Sequence, residues 1–112
     1  MNKNVKSELC GSELVIGLEG EIDHHSARSF RQSIDELLYY YRPKNVALDL
    51  SQISFMDSSG LGLILGRFTL ARELGGVLRV VDPTEEVMKI LDLAGTSRLI
   101  KIDYTAAKGS KK

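Results

Sequence analysis

Apolar residues recur every three or four positions in three stretches of the chain, and this period predicts amphipathic helices. The first stretch covers residues 26–41 and ends before Pro43. The second covers residues 59–74 and has apolar side chains on two faces, so we expect that helix to be largely buried. The third follows Thr84, a good N-cap residue, and stops at Gly95.

Shorter apolar runs without the helical period predict strands. Residues 5–9 and 14–18 flank the turn signal Gly11-Ser12 and predict a hairpin. Three further strands are predicted, and they cover residues 46–50, 77–81 and 99–102. Strands and helices alternate after the hairpin. The pattern therefore predicts an α/β fold: a mostly parallel central sheet, an N-terminal antiparallel hairpin and three to four packing helices.

The length and composition indicate one cytoplasmic domain. A chain of 112 residues with 43% hydrophobic content supports a single core. We assign this domain to residues 1–105, and the Lys/Gly/Ser-rich residues 106–112 to a disordered, frayed or vector-derived tail. The lone cysteine excludes an internal disulfide and fits a reducing compartment. No apolar run approaches the ~20 residues of a membrane span, so no membrane partner is expected.

The charge distribution argues against nucleic acid as a partner. Lys plus Arg and Asp plus Glu number 15 each, so the positive footprint of a nucleic-acid-binding domain is missing. The neutral total conceals two unlike parts. Residues 1–98 hold 11 basic and 14 acidic side chains, whereas residues 99–112 hold 4 basic and 1 acidic. A phosphate on the acidic part would add roughly −1.5 to −2 charges.

Hydroxyl and glycine residues cluster where the second predicted helix begins. Ser58 is placed to cap this helix, and the N–H groups of a first helical turn favour an added negative group such as phosphate. Gly62 and Gly66 are four residues apart and share one helix face, where a partner can approach the backbone closely.

Three other interpretations of this cluster remain open at this point. In the simplest, it is an ordinary strand-to-helix turn in which Ser58 only caps the helix and the glycines serve packing. Nucleotide binding is disfavoured because the glycines are spaced G-x-G-x-x-x-G rather than G-x-G-x-x-G. A hydrolase would use Ser58 with His24 or His25, but Met56 stands where a nucleophile elbow needs glycine. The residues of this cluster thus disfavour nucleotide binding and hydrolysis, and we expect neither a catalytic residue nor a cofactor.

A second cluster is the run Gly20-Glu21-Ile22-Asp23-His24-His25, between a strand and the first helix. Adjacent histidines entering a helix point to different faces, so no metal site is expected. The carboxyl ends of parallel strands share one edge of a sheet, which predicts that Asp23 lies near Ser58. Phosphate on Ser58 would then repel Asp23 and Asp57, which amounts to a charge switch.

The two clusters together resemble the STAS-domain anti-anti-sigma factors. Residues 20–25 are similar to the family pattern G-E-L-D-H-H with Ile22 in place of Leu, and residues 54–67 are similar to S-F-M-D-S-S-G-L-G-x-I-L-G-R. The resemblance extends from about Val5 to Ile102. The Asp-Ser-Ser-Gly sequence and the double histidine are closer to the sporulation branch of the family than to the general-stress branch.

The resemblance implies a partner-switching function. Ser58 corresponds to the serine that is phosphorylated by an anti-sigma factor, which is also a nucleotide-bound serine kinase. The unphosphorylated protein would bind that kinase and release a sporulation sigma factor. The protein phosphorylated at Ser58 would not bind until a serine phosphatase removes the phosphate. The alternative is a STAS interaction module of a stress-response system with a different kinase. The expected partner-binding residues are Gly20, Asp23, Met56, Asp57, Ser58, Ser59, Gly60, Gly62 and Gly66.

Overall fold

A five-stranded sheet forms the centre of the protein, with its strands arranged side by side in chain order. A computed structural model describes residues 2–105, and the predicted tail, residues 106–112, lies outside the described residues. The strands are β1 (Val5–Cys10), β2 (Glu13–Ile22), β3 (Asn45–Met56), β4 (Val77–Val81) and β5 (Ile102–Asp103). β1 pairs antiparallel with β2, and β2 to β5 pair in parallel. The predicted hairpin and mostly parallel sheet are confirmed.

Three helices connect the parallel strands: α1 (Ala27–Tyr41), α2 (Ser58–Glu73) and α3 (Glu85–Leu93). Each agrees with its predicted range to within one or two residues. Successive crossovers each move to the next strand in the same direction, and right-handed crossovers of that kind place all their helices on one face of the sheet. The sequence predicted three to four packing helices, and the part of the chain that the structure describes contains three α-helices.

The core lies between this helical layer and the sheet. Alternate residues of the central strands point into it, and so do the apolar stripes of the helices. Its fully buried members include side chains of β2, β3 and α1, namely Leu14, Ile16, Leu18, Leu48, Leu50, Phe30, Ile34 and Leu38. The opposite face of the sheet carries half-buried side chains such as Val15, Asp49 and Arg79. This alternation fixes the strand register, because a shift of one residue would expose the core set.

The sequence-based prediction for β3 was too short. The strand was expected to end at Leu50, where the alternation of apolar and polar residues breaks down, yet it continues to Met56. The additional residues pair with the end of β2, with Phe55 opposite Glu21 and Met56 opposite Ile22. This pairing is nonlocal, and it carries the end of β3 to the edge where β2 also ends.

The prediction of a last strand at residues 99–102 was wrong over most of its length. The segment Thr96–Arg98 forms a 3₁₀ turn, and the N–H of Ile100 donates to the carbonyl of Thr96 at 3.0 Å. These local bonds occupy backbone groups that a strand would need. Only Ile102 and Asp103 then pair with β4.

Candidate functional site

Two loops meet at the carboxyl edge of the sheet, where β2 and β3 end side by side. The last pair of the two strands joins Ile22 to Met56, and both side chains are buried. One residue further on, the N–H of Asp57 donates to the carbonyl of Ile22 at 3.1 Å. The residues that follow the strands, Asp23 on one and Ser58 on the other, are thereby brought to one small region of the surface, as the sequence predicted.

Asp57, rather than Ser58, caps helix α2. Its carboxylate accepts the N–H of Ser59 at 2.8 Å, and its carbonyl accepts the N–H of Gly60 at 2.9 Å. The prediction that Ser58 caps the helix is therefore wrong. An Asp is as good a cap as a Ser, and the end of β3 at Met56 makes Asp57 the first residue outside the strand. Ser58 becomes the first helical residue, and it is exposed.

Asp23 is held in a tight turn before α1. Its carboxylate oxygen Oδ1 accepts the N–H groups of His25 and Ser26, both at 2.9 Å. In return the N–H of Asp23 donates to Oγ of Ser26 at 3.0 Å. The bond from the Ser26 backbone is the main cause that lowers the pKa of Asp23, and burial opposes it only in part. Asp23 therefore presents a fixed negative charge beside the start of α2.

The predicted glycines differ in what they do. Gly20 has φ of 105°, a conformation that favours glycine, and it precedes a register shift at Glu21 that turns the end of β2. Gly60 is buried, and a Cβ built there would overlap the side chain of Met56. A Cβ at Gly62 or Gly66 would meet nothing within 4 Å. Gly60 and Met56 thus lie beneath the surface, whereas Gly62 and Gly66 leave open space along α2.

The structure adds a feature that the sequence did not predict, a groove between α1 and α2. It has a volume of about 440 Å³ and is lined by His24, Arg28, Arg31, Ser59, Gly62 and Arg67, among others. We call it the α1–α2 groove. Arg28 and Arg31 are one helical turn apart and exposed. The sequence shows only that the two arginines share one face of a helix. It does not show that this face lies next to α2, because that depends on how the helices pack.

The chemical feature of this region is an exposed hydroxyl at a helix start. Among residues 2–105, no group of three or more His, Cys, Asp or Glu side chains is arranged to hold a metal ion. Within the same range, no helix combines the length and apolarity needed to cross a bilayer. The hydroxyl of Ser58 stands at the positive end of α2, flanked in sequence by the cap carboxylate.

Comparisons with known proteins give one consistent match. A family model described as the STAS domain matches residues 3–109. An "Anti-sigma F factor antagonist" of Paenibacillus polymyxa is 36% identical over 102 residues, which cover 91% of this chain and 87% of that protein. An "Anti-sigma-B factor antagonist" of Bacillus subtilis (strain 168) is 28% identical over 109 residues, which cover 97% of this chain and 98% of that protein.

Solved structures of the anti-sigma factor antagonist SpoIIAA match the fold. The unphosphorylated form superimposes with a TM-score of 0.75 at 28% identity and covers 94% of this chain and 91% of that one. The phosphorylated form of the Bacillus cell fate determinant SpoIIAA gives a TM-score of 0.68 at 27% identity and covers 94% of this chain and 95% of that one. The fold described above is thus a known architecture.

Proposed function

The chain belongs to the STAS-domain family, and on this premise we propose that it is a cytoplasmic anti-sigma factor antagonist regulated by phosphorylation of Ser58. In the unphosphorylated state it binds an anti-sigma factor that is also a nucleotide-bound serine kinase, and thereby releases a sporulation sigma factor. Phosphorylation of Ser58 ends this binding, and a serine phosphatase removes the phosphate and restores the binding-competent form. The chain is a kinase substrate in this scheme and is not itself an enzyme.

The observation that supports the proposal most is the position of Ser58. The residue is exposed at the first turn of α2, and the carboxylate of Asp57 is occupied by the N–H of Ser59. Asp23 adds a fixed negative charge from the neighbouring loop. A kinase can therefore reach the Ser58 hydroxyl without unfolding the helix.

The same position explains how one modification would end binding. Transfer of the γ-phosphoryl group of ATP to the Ser58 oxygen releases ADP and the hydroxyl proton, and adds about −1.5 to −2 charges. The start of a helix tolerates this charge, so we expect the fold to persist. The charge and bulk added beside Asp23 and Asp57 would instead prevent contact with the partner.

The proposed contact surface surrounds Ser58 on both loops and along α2. Its exposed or half-buried members are Gly20, Asp23, Asp57, Ser58, Ser59, Gly62 and Gly66. Met56 and Gly60 are buried and support this surface from beneath. Substitutions of these two residues should therefore act on binding through the position of the Ser58 loop.

Phosphorylation by the cognate anti-sigma factor tests the proposal directly. Incubation with that kinase and ATP should add one phosphate to the wild-type chain and to Ser59→Ala, and none to Ser58→Ala, as read by peptide mass spectrometry. Ser58→Ala should still bind the kinase, whereas Ser58→Asp should bind at least about tenfold more weakly because the new carboxylate adds negative charge and bulk to the contact surface beside Asp23 and Asp57. Phosphate on Ser59, or equal binding of the two Ser58 variants, would overturn it.

A second candidate function has support from one comparison. The match to an anti-sigma-B factor antagonist favours a stress-response partner-switching system in which a different kinase acts on the same serine. The two candidates differ in the partner rather than in the site. Capture experiments with purified anti-sigma factors of both classes separate them, since only the cognate kinase should both bind the chain and phosphorylate Ser58.

A further inference from the structure

The α1–α2 groove concentrates positive charge on a surface that reaches Ser59, the residue after Ser58. Arg28, Arg31 and Arg67 line it together with His24, and no carboxylate is among its lining residues. Residues 1–98 as a whole carry more acidic than basic side chains, so this local excess runs against the balance of the domain. The basic character is therefore a local property of this groove and not of the whole domain. The positive electrostatic potential of the groove attracts negative groups.

The three arginines are not equally available to a ligand. Nε of Arg67 lies 2.7 Å from Oδ1 of Asp35, and the side chain of Arg67 is only 11% exposed. Arg28 and Arg31 are exposed and form no ion pair within residues 2–105. Burial lowers the pKa of Arg67, the carboxylate of Asp35 opposes that shift, and the nearby charge of Arg31 adds to it. Arg31 is therefore close to the Arg67–Asp35 pair, and the Asp35 carboxylate is engaged by Arg67, so Arg28 and Arg31 are the cations of the groove that are exposed to a ligand.

The shape of the groove favours a chain segment over a small ion. Its volume of about 440 Å³ is many times the ~30 Å³ that one water molecule occupies in the liquid. A Cβ at Gly62 would meet nothing within 4 Å, so the α2 side of the groove is open along the helix backbone. Arg28 and Arg31 are about 5–6 Å apart at Cβ on one face of α1, a separation that two carboxylates of one peptide can match.

We propose that the α1–α2 groove binds an acidic segment of the anti-sigma factor, whose carboxylates pair with Arg28 and Arg31. The inference rests on the proposed function and adds to it a recognition element outside the Ser58 loop. Arginine suits this role because its planar guanidinium binds a carboxylate through two parallel N–H donors. Ser59, which also lines the groove, connects this surface to the phosphorylation site.

Neutralising the two free arginines tests the proposal. The variant Arg28→Gln/Arg31→Gln is compared with Arg98→Gln, an exposed arginine in the 3₁₀ turn that does not line the groove. Isothermal titration with the cognate anti-sigma factor should give a Kd at least about tenfold weaker for the double variant and within about twofold of wild type for the control. The difference should shrink as salt is raised, because the pairs lie at the surface. Circular dichroism confirms that each variant is folded.

The remaining outcomes each decide the question. Arg28→Lys/Arg31→Lys should retain part of the affinity, since charge remains but the bidentate geometry is lost. If wild type binds and the double Gln variant binds equally well at low salt, the groove proposal is wrong and the proposed function stands. If wild type does not bind any anti-sigma factor, the proposed function fails and this inference fails with it. If inorganic phosphate shifts the Arg28 and Arg31 Nε resonances while the Kd for the anti-sigma factor is the same with and without both arginines, the groove is a small-anion site instead.

Discussion

At the scale of single residues, the short polar side chains at the sheet edge have two different roles: some bind backbone N–H groups, and one is exposed at the surface. Asp57 and Asp23 both use their carboxylates to accept backbone N–H groups, at 2.8 and 2.9 Å, and so hold their loops in place. The Ser58 side chain takes part in neither set of hydrogen bonds, and it is exposed to solvent. The glycines show the same division, because Gly60 makes room for Met56 whereas Gly62 faces open space.

Alanine substitutions at the two glycines should have opposite effects on stability. Gly60→Ala forces the buried Met56 side chain to move and should lower the free energy of unfolding by about 1–3 kcal/mol. Gly62→Ala meets no neighbour and should raise it by up to about 1 kcal/mol, since alanine is the better helix former. Urea unfolding monitored by circular dichroism measures both. Equal destabilisation by the two variants would contradict this account of α2.

At the scale of elements, helices α1 and α2 are joined by an ion pair with little access to water. Nε of Arg67 and Oδ1 of Asp35 are 2.7 Å apart, yet neither atom has a hydrogen-bond partner of good geometry. Burial raises the pKa of Asp35, and the charges of Arg67 and Arg31 oppose that rise. The pair therefore orients the two helices that form the α1–α2 groove, at an appreciable desolvation cost.

Removal of Arg67 should shift the titration of Asp35. In Arg67→Met the first opposing charge is lost, so the pKa of Asp35 should rise further above the unfolded value of about 3.9. A raised folded-state pKa means that the folded state holds the extra proton. The stability from this group is complete below the unfolded pKa and is lost as pH rises through the folded pKa. In the variant, this loss should be larger and should extend to higher pH.

Carbon-detected NMR of the Asp35 carboxyl group, with urea unfolding across the same pH range, measures this effect. At neutral pH, Arg67→Met should cost about 2 kcal/mol, less than the ~3–5 kcal/mol of a fully buried pair, because the Asp35 side chain is 28% exposed. Asp35→Asn is the control and should remove the pH step. An unchanged pKa of Asp35 in Arg67→Met would refute the coupling.

At the scale of the whole molecule, the sheet has two unlike faces. The helices cover one face, and an ionic network crosses the other. Nε and Nη2 of Arg79 donate to both carboxylate oxygens of Glu13 at 3.0 and 3.1 Å, and Nη1 donates to Asp103 at 2.7 Å. One side chain on β4 thereby contacts β2 across the intervening strand β3 and also contacts the neighbouring strand β5. Pairing with Glu13 and Asp103 raises the pKa of Arg79.

Loss of Arg79 should loosen the sheet more than loss of the neighbouring cation. Arg79→Met breaks the contacts to Glu13 and Asp103 and should lower the free energy of unfolding by about 1 kcal/mol, a modest figure because the pairs are partly exposed. Lys101→Met is the matched control: Nζ of Lys101 is 4.0 Å from Asp103 and its side chain is 74% exposed, so little change is expected. Thermal unfolding in low and high salt measures both variants, and salt should reduce the Arg79 effect. Equal effects of the two substitutions would show that the network adds nothing.

Local patterns determined most of the architecture. The helical period at residues 26–41, the turn at Gly11-Ser12 and the cap at Thr84 act over a few residues, so the sequence predicts them and the structure confirms them. The two motifs also predicted that β2 and β3 end at a common edge. That inference needs only the rule that parallel strands share their carboxyl ends.

Tertiary pairing decided the rest. The polar end of β3 is a strand only because β2 lies beside it, and the resulting end at Met56 gave the cap to Asp57 instead of Ser58. The packing of α1 on α2 likewise assembled the arginine groove from residues that are distant in sequence. The sequence by itself determined the three helices, the hairpin and the serine at the start of α2, because those depend on local periodicity and composition. Only the tertiary structure decided which side chains face one another, because that depends on strand register and helix packing across the whole chain.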